Sequence, residues 1–310
     1  MKKILLSLLM VASTSTFASH ILGGMLAMTH DPTSQPNNQS VALYLITDPQ
    51  GILPVSQTVA VYIENNNFYQ FSENITVTRA YTDTMADGNL LSTYTSGYKQ
   101  FYMSKYRFVY SHCCRGMTVN ASNSFTSDFL IALDVDRLNA VNNNTPMPTY
   151  MPTATIPQNW TTTADISSLI NDNLFENDSV QYEMWDALGQ HANNTFVPLA
   201  PFNQLNNYGT YTVGGGGLVS WTPLVVGNFA TGYKLTEWRS GGIKASECYV
   251  QMTFTVIPSS IGITEFEREK KVLGVYDMLG RYIQKDIKDL PSGQLYLVEY
   301  NTGFEKIFVQ

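Results

Sequence analysis

The sequence predicts an all-β protein: two β-sandwich domains of immunoglobulin or cadherin type, followed by a small antiparallel C-terminal β-domain. Three observations carry this. Apolar and polar residues alternate in short runs over residues 40–119 and again over 166–256, the period of a strand with one buried face. Turn-forming clusters such as Asp48-Pro49-Gln50-Gly51 and Asn65-Asn66-Asn67 close those runs. The chain also holds 19 Tyr and 15 Phe against only 14% charged residues, a composition that suits half-buried sheets with polar outer faces.

Residues 1–18 read as a signal peptide. Lys2 and Lys3 precede an apolar run over 4–11, and Thr16-Phe17-Ala18 places small residues where a signal peptidase cuts, between Ala18 and Ser19. That run is far short of the ~20 residues of a spanning helix, and no later stretch is long and apolar enough, so no transmembrane segment is expected. The first domain covers 19–145, with strands such as Val59-Ala60-Val61-Tyr62-Ile63 and Tyr106-Arg107-Phe108-Val109-Tyr110. The Asn-, Pro- and Thr-rich residues 142–157 hold little that could pack, which marks 146–165 as a linker. The second domain, 166–257, has about seven short strands in ~90 residues, an immunoglobulin-like number. Residues 262–310 form the third domain, a meander too small to be stable without a neighbour or a partner.

A net charge of −7 with scattered basic residues offers a phosphate backbone nothing to bind, so nucleic acid is excluded as a partner. Cys113, Cys114 and Cys248 leave at least one thiol over unless it joins another chain. Adjacent cysteines do not fit a zinc knuckle. The expectation is a single bridge, from one of the adjacent pair to Cys248, with the remaining thiol packed as a small hydrophobe.

Each residue type that could carry chemistry has a structural explanation beside it. His20, His30, His112 and His191 are the only imidazoles. His112 next to Cys113 suggests a base and a thiol, yet neighbours on a strand point to opposite faces, which favours a structural His112. Asp134 and Asp136 share one face of a strand, a spacing that suits a shared cation or an acid and base, though a solvated strand end is the simpler reading. Gly214-Gly215-Gly216-Gly217 lacks the Lys and Ser or Thr of a phosphate loop and reads as a hairpin connection. Trp185, Trp221 and Trp238 lie in strands, with Trp221 assigned to the core and Trp160 to the surface. No nucleophile elbow, His-Glu-x-x-His helix or dinucleotide fingerprint is present, so no catalytic residue is assigned.

Several motifs resemble a group of exported surface proteins of Bacteroidetes-type bacteria. Ser19-His20-Ile21-Leu22-Gly23-Gly24 is similar to their mature start and Cys113-Cys114-Arg115 to their Cys-Cys-Arg element. In the second domain Asn177-Asp178-Ser179, Leu218-Val219-Ser220-Trp221-Thr222-Pro223 and Glu237-Trp238-Arg239-Ser240-Gly241-Gly242 resemble elements of a cadherin-like fold. The tail, with Leu279-Gly280-Arg281, Pro291-Ser292-Gly293 and Lys306, resembles a type IX secretion sorting domain, although the Asn-Pro opening of such domains is missing. The resemblance implies passage to the outer-membrane surface or medium by an export machinery that reads the C-terminal domain.

No metal or cofactor is assigned. The cadherin-like elements raise structural calcium at Asp178, but Phe175-Glu176-Asn177 precede it where related domains carry further Asp residues; with Asp134 and Asp136 as the other weak candidates, this is a thin set for an ion that takes about six to eight oxygens. The expected function is therefore a secreted, non-enzymatic surface module for binding, adhesion or surface assembly, linked through the resemblance to gliding. Its ligand would be an extracellular protein or polysaccharide. A surface glycan hydrolase using Asp134 and Asp136, and a purely structural subunit that stacks through strand edges, are the competing readings.

Overall fold

The computed structural model describes residues 21–309 except 32, 34–36, 52, 86–87, 114, 122–123, 125–126, 139–142, 149–153, 168–169, 172–177, 193–194, 199–201, 260–271, 278–280, 285–289, 293 and 301–302. The expected signal cleavage at Ala18 and Ser19 lies outside them. The chain forms two compact units, Met1–Pro258 and Ser259–Gln310. Both are built of strands, antiparallel but for the pairing of Ala154–Pro157 with Phe254–Ile257, so the all-β expectation holds.

In the large unit the first strands are β1 (Ile21–His30), β2 (Asn38–Thr47), β3 (Ser56–Asn65), β4 (Phe68–Thr84), β5 (Leu90–Gln100), β6 (Lys105–His112) and β7 (Phe129–Asp136). Short segments follow: β8 (Met147–Pro148), β9 (Ala154–Pro157), β10 (Thr162–Asp165) and β11 (Ile170–Asn171). Then come β12 (Ser179–Trp185), β13 (Leu188–Ala192), β14 (Thr195–Pro198), β15 (Gly209–Val213), β16 (Leu218–Pro223), β17 (Gly227–Arg239) and β18 (Ile243–Ile257). The main sheet runs β1-β2-β5-β4-β3-β6-β7-β18-β17-β12, and a pairing of β1 with β18 closes its first eight strands into a ring.

That ring corrects the expected division at 146–165. Strand β18 from the second half pairs with β7 and β1 from the first, and one apolar cluster runs from Ile21 through Phe108 and Leu133 to Trp221 and Phe254. Two separate cores therefore do not form within Met1–Pro258. The Asn- and Thr-rich segment is no free linker either, because its side chains complete the backbone hydrogen bonding of β1: Met28 N donates to Thr145 Oγ1 (2.8 Å) and His30 N to Asn144 Oδ1 (2.7 Å). On the other side Asn143 Nδ2 and Ser246 Oγ donate to the buried Glu237 Oε2 at 2.8 and 2.6 Å. Few apolar residues are needed where polar side chains take up backbone groups this way.

The ring closure explains two of the motifs. Gly24 pairs with Gln251, and a Cβ on Gly24 would stand 2.7 Å from Tyr44 O, while one on Gly23 would stand 2.9 Å from Gln251 O. Only glycines let β1 approach this closely. Arg115 is buried beside the closure, donating to Leu188 O (3.0 Å) and to Gln251 Oε1, while Gln251 Nε2 donates to Leu130 O and to Leu188 O (2.9 Å). Burial pushes the Arg115 guanidinium down to about 10, which leaves it charged at neutral pH.

The tetraglycine run is the turn between β15 and β16, as expected. Gly217 has φ +91° and a Cβ there would lie 2.9 Å from Ser167 N. Trp221 is 1% exposed and Trp160 62%, so both assignments hold.

In the unit Ser259–Gln310, strands β19 (Val272–Tyr276), β20 (Tyr282–Gln284), β21 (Gln294–Tyr300) and β22 (Gly303–Val309) form one sheet in the order β20-β19-β21-β22. Val275, Leu290, Tyr296 and Val298 are its core. Of the sorting-motif residues, Arg281 bonds back to Asp277 through N (2.9 Å) and Nε (2.6 Å), and Pro291 O accepts from Tyr296 Oη (3.1 Å). Lys306 lies in β22 opposite Leu297, while Leu279, Gly280 and Gly293 fall outside the described residues.

Candidate functional site

The site grows from a charge pattern on one face of the ring. In β6, Lys105, Arg107 and Val109 point outward; in β7 their cross-strand partners are Asp136, Asp134 and Ala132. Glu247 and Tyr249 of β18 continue those rows opposite Asp134 and Ala132. The outer face is thus apolar at Val109, Ala132 and Tyr249 and becomes charged one step along the strands.

The β13–β14 hairpin covers the apolar part. Leu188 completes a small outer cluster with Val109, Leu130, Ala132 and Tyr249, and Phe196 and Tyr62 pack against it. Aromatic rings follow one another across the face: Phe71 on Tyr62 (5.7 Å), Tyr62 on His191 (4.7 Å), His191 on Phe196 (5.4 Å), Phe196 on Tyr249 (4.6 Å) and Tyr249 on Trp185 (5.8 Å). Edge-to-face and tilted contacts of this kind add to the area they bury.

Beyond the hairpin the charged part forms a cleft of about 270 Å³. Its walls include Glu64, Tyr69, Lys105, Arg107, Asp134 and Asp136, with residues 244–247 of the neighbouring β18. Arg107 is the centre: Nε and Nη2 each donate to Asp134 at 2.7 Å, and the guanidinium lies between the rings of Tyr69 (4.1 Å) and Phe196 (4.3 Å). A planar guanidinium is the group that can be bidentate and stacked at once. Around it Lys105 pairs with Glu64 (2.8 Å) and Lys244 with Glu247 (3.0 Å). Burial is the largest influence and lowers the Arg107 pKa, but the Asp134 hydrogen bonds and the Asp134 charge together outweigh it and hold the group above its ordinary value. For Asp134, burial pushes the carboxyl up, opposed by the same two bonds. Burial also raises the Tyr69 phenol, with the Asp134 charge adding to it, so it stays protonated.

Asp134 and Asp136 both line the cleft. Asp134, however, has both oxygens engaged by Arg107, and Asp136 Oδ1 accepts from Leu138 N (3.1 Å). Asp178 is elsewhere, with Arg239 Nε 3.7 Å from its carboxylate. Among the described residues, no three His, Cys, Asp or Glu side chains gather as metal ligands.

The cysteines need a correction. Cys248 is a free thiol, buried in the core, with Sγ donating to Leu26 O (3.2 Å), and burial holds its pKa well above the ordinary range. Cys113 is disulfide-bonded, so the expected bridge to Cys248 is not formed; Cys114 lies outside the described residues. Cys248 faces inward into the apolar core, with Leu133 and Leu235 as its cross-strand neighbours. With Cys113 bonded, it is no thiol nucleophile, and the His112 ring stacks on Tyr110 (6.2 Å).

Sequence reading found Asp134 and Asp136 but missed Arg107, Lys105, Tyr69 and the hairpin. A signal was present: Lys105-Tyr106-Arg107 and Asp134-Val135-Asp136 carry opposite charges at the same two-residue spacing, the mark of neighbouring antiparallel strands. A scan of protein-family models finds none that matches the chain, and no curated protein matches it, so its motifs stand as a resemblance and no family is assigned.

Proposed function

We propose that the chain is an exported, non-enzymatic surface module that holds a neutral polysaccharide segment in the cleft around Arg107. The observation that carries this is the wall chemistry. Carboxylates, ammonium groups and a guanidinium share it, and three ion pairs, Arg107–Asp134, Lys105–Glu64 and Lys244–Glu247, match each cation to a carboxylate, with Asp136 as one further acid. Such a surface offers many hydrogen-bond donors and acceptors with little net field, which suits hydroxyl groups better than an ionic ligand. The sheet presents those groups, and Phe196 of the β13–β14 hairpin packs on the Arg107 guanidinium and holds it in place. Export and the surface location rest on the signal-like start and the sorting-like tail.

The test is a panel of immobilised neutral and acidic polysaccharides probed with the wild-type chain and with Lys105→Ala/Lys244→Ala, whose side chains are half-exposed and leave the core intact. Retention on neutral glycans that falls at least tenfold in the double variant, at unchanged Tm, supports the reading. Equal retention by both chains, or a preference for acidic glycans, overturns it. Shortened glycan products that disappear in Asp136→Asn would replace it with the hydrolase reading.

A further inference from the structure

Four chain segments meet at one end of the large unit: residues 117–121, 157–163, 220–232 and 253–258. Hydrogen bonds stitch them together. Asn159 N donates to Pro223 O (2.7 Å), Gln158 N to Ile257 O (2.8 Å), Gln158 Nε2 to Leu224 O (2.7 Å) and Val119 N to Asn228 O (2.7 Å). Gly227, at φ +133°, makes the closest approach: a Cβ there would lie 2.5 Å from Val119 Cγ2.

This end exposes apolar side chains together. Met117 is 72% exposed, Trp160 62% and Leu224 59%, and Val225, Val226 and Ile257 are exposed beside them. Leu224, Val225 and Val226 make up the whole connection between β16 and β17, a place where polar turn residues are the rule. One exposed leucine is ordinary, but a contiguous cluster marks an interaction site.

Charge decides which partner fits. None of the residues in the four segments is charged, in a chain where 14% are. A protein-binding patch depletes Lys, Asp and Glu at its centre but carries a polar rim and favours Arg, so it does not exclude charge from all of its segments. A surface that enters lipid does, because a charged side chain is costly there. Trp160 adds the residue type that settles at headgroup level, beside an aliphatic tip.

We propose that this end of the molecule dips into a lipid surface, with Leu224, Val225 and Val226 as the inserted tip and Trp160 at the headgroup boundary. The cleft residues 244–247 and the patch residue Ile257 lie at opposite ends of β18, about ten residues or ~33 Å of strand apart. A lipid-seated end therefore leaves the cleft distant from the surface. The proposal does not depend on what the cleft binds.

The test uses the full chain and vesicles of pure phosphatidylcholine in a flotation assay. The wild type is expected to float with the vesicles equally at about 0.1 and 1 M NaCl, since no ionic attraction is involved. Leu224→Asp/Val225→Asp should lower partitioning at least tenfold at unchanged Tm, and Trp160→Phe should remove the blue shift of tryptophan emission on binding. Absence of vesicle binding overturns the proposal, and so does binding that 1 M NaCl abolishes. Concentration-dependent self-association without vesicles, lost in the same double variant, would assign the patch to a second copy of the chain instead.

Discussion

Two rows of residues cross the same five strands one position apart. The inner row, Val61-Phe108-Leu133-Cys248-Leu235 over β3, β6, β7, β18 and β17, is at most 1% exposed at every position. The outer row, Tyr62-Arg107-Asp134-Glu247-Thr236, carries the ion pair at the heart of the cleft. Since the side-chain period of a strand is two, a one-residue slip would exchange the rows and put Arg107 and Asp134 in the core. The contrast therefore fixes the register of all five strands, and the core and the cleft are two consequences of one alignment.

The largest way to break this arrangement is to empty the inner row. Phe108→Ala should cost about 3–5 kcal/mol, read from chemical denaturation, because Phe108 packs on Phe101 and Tyr106 with no solvent to fill the gap. A loss below about 1 kcal/mol, the scale of a surface change, would mean that the inner row is not the core.

The outer row should respond to pairing more than to volume. Asp134→Ala strands a nearly buried guanidinium between two rings and should cost about 3 kcal/mol, whereas Arg107→Met/Asp134→Leu, which removes both charges, should cost less than about 1 kcal/mol. Equal losses in the two variants would show that packing, not charge pairing, dominates this face.

The smallest effect is a pH dependence at the hairpin. His191 lies against Tyr62 and Phe196, and burial, with the Arg107 charge added, holds its pKa below the ordinary value. The folded state thus binds fewer protons at this site than the unfolded chain does. Stability from His191 is full above pH ~6.5 and is lost as pH falls through the depressed folded value. His191→Phe should flatten this part of the stability profile below about pH 6.5; an unchanged profile would place the charge-sensitive contact elsewhere on the hairpin.

Much of the fold was legible without coordinates. Strands β3 and β6 follow from alternation alone, as does the C-terminal meander, and the placement of Trp221 and Trp160 follows from strand against loop context. Half of the candidate site was legible too, because Asp134 and Asp136 stand two apart on a strand. What escaped was long-range. Asp134 meets Arg107 across 27 residues, and Arg115 meets Gln251 across 136. The Asn- and Thr-rich stretch looked like a linker because side-chain bonds to β1 leave no periodic trace.

Local chain chemistry by itself determined that this protein would be all-β, where its turns would fall and which faces would be apolar, because alternation and turn propensity act within a few residues. Tertiary structure alone decided that the two halves share one ring, that Cys248 stays free, that a hairpin roofs the outer face and that four uncharged segments meet as one patch. Those outcomes depend on which strand edges pair, and pairing between distant strands is set by the packing of the whole ring.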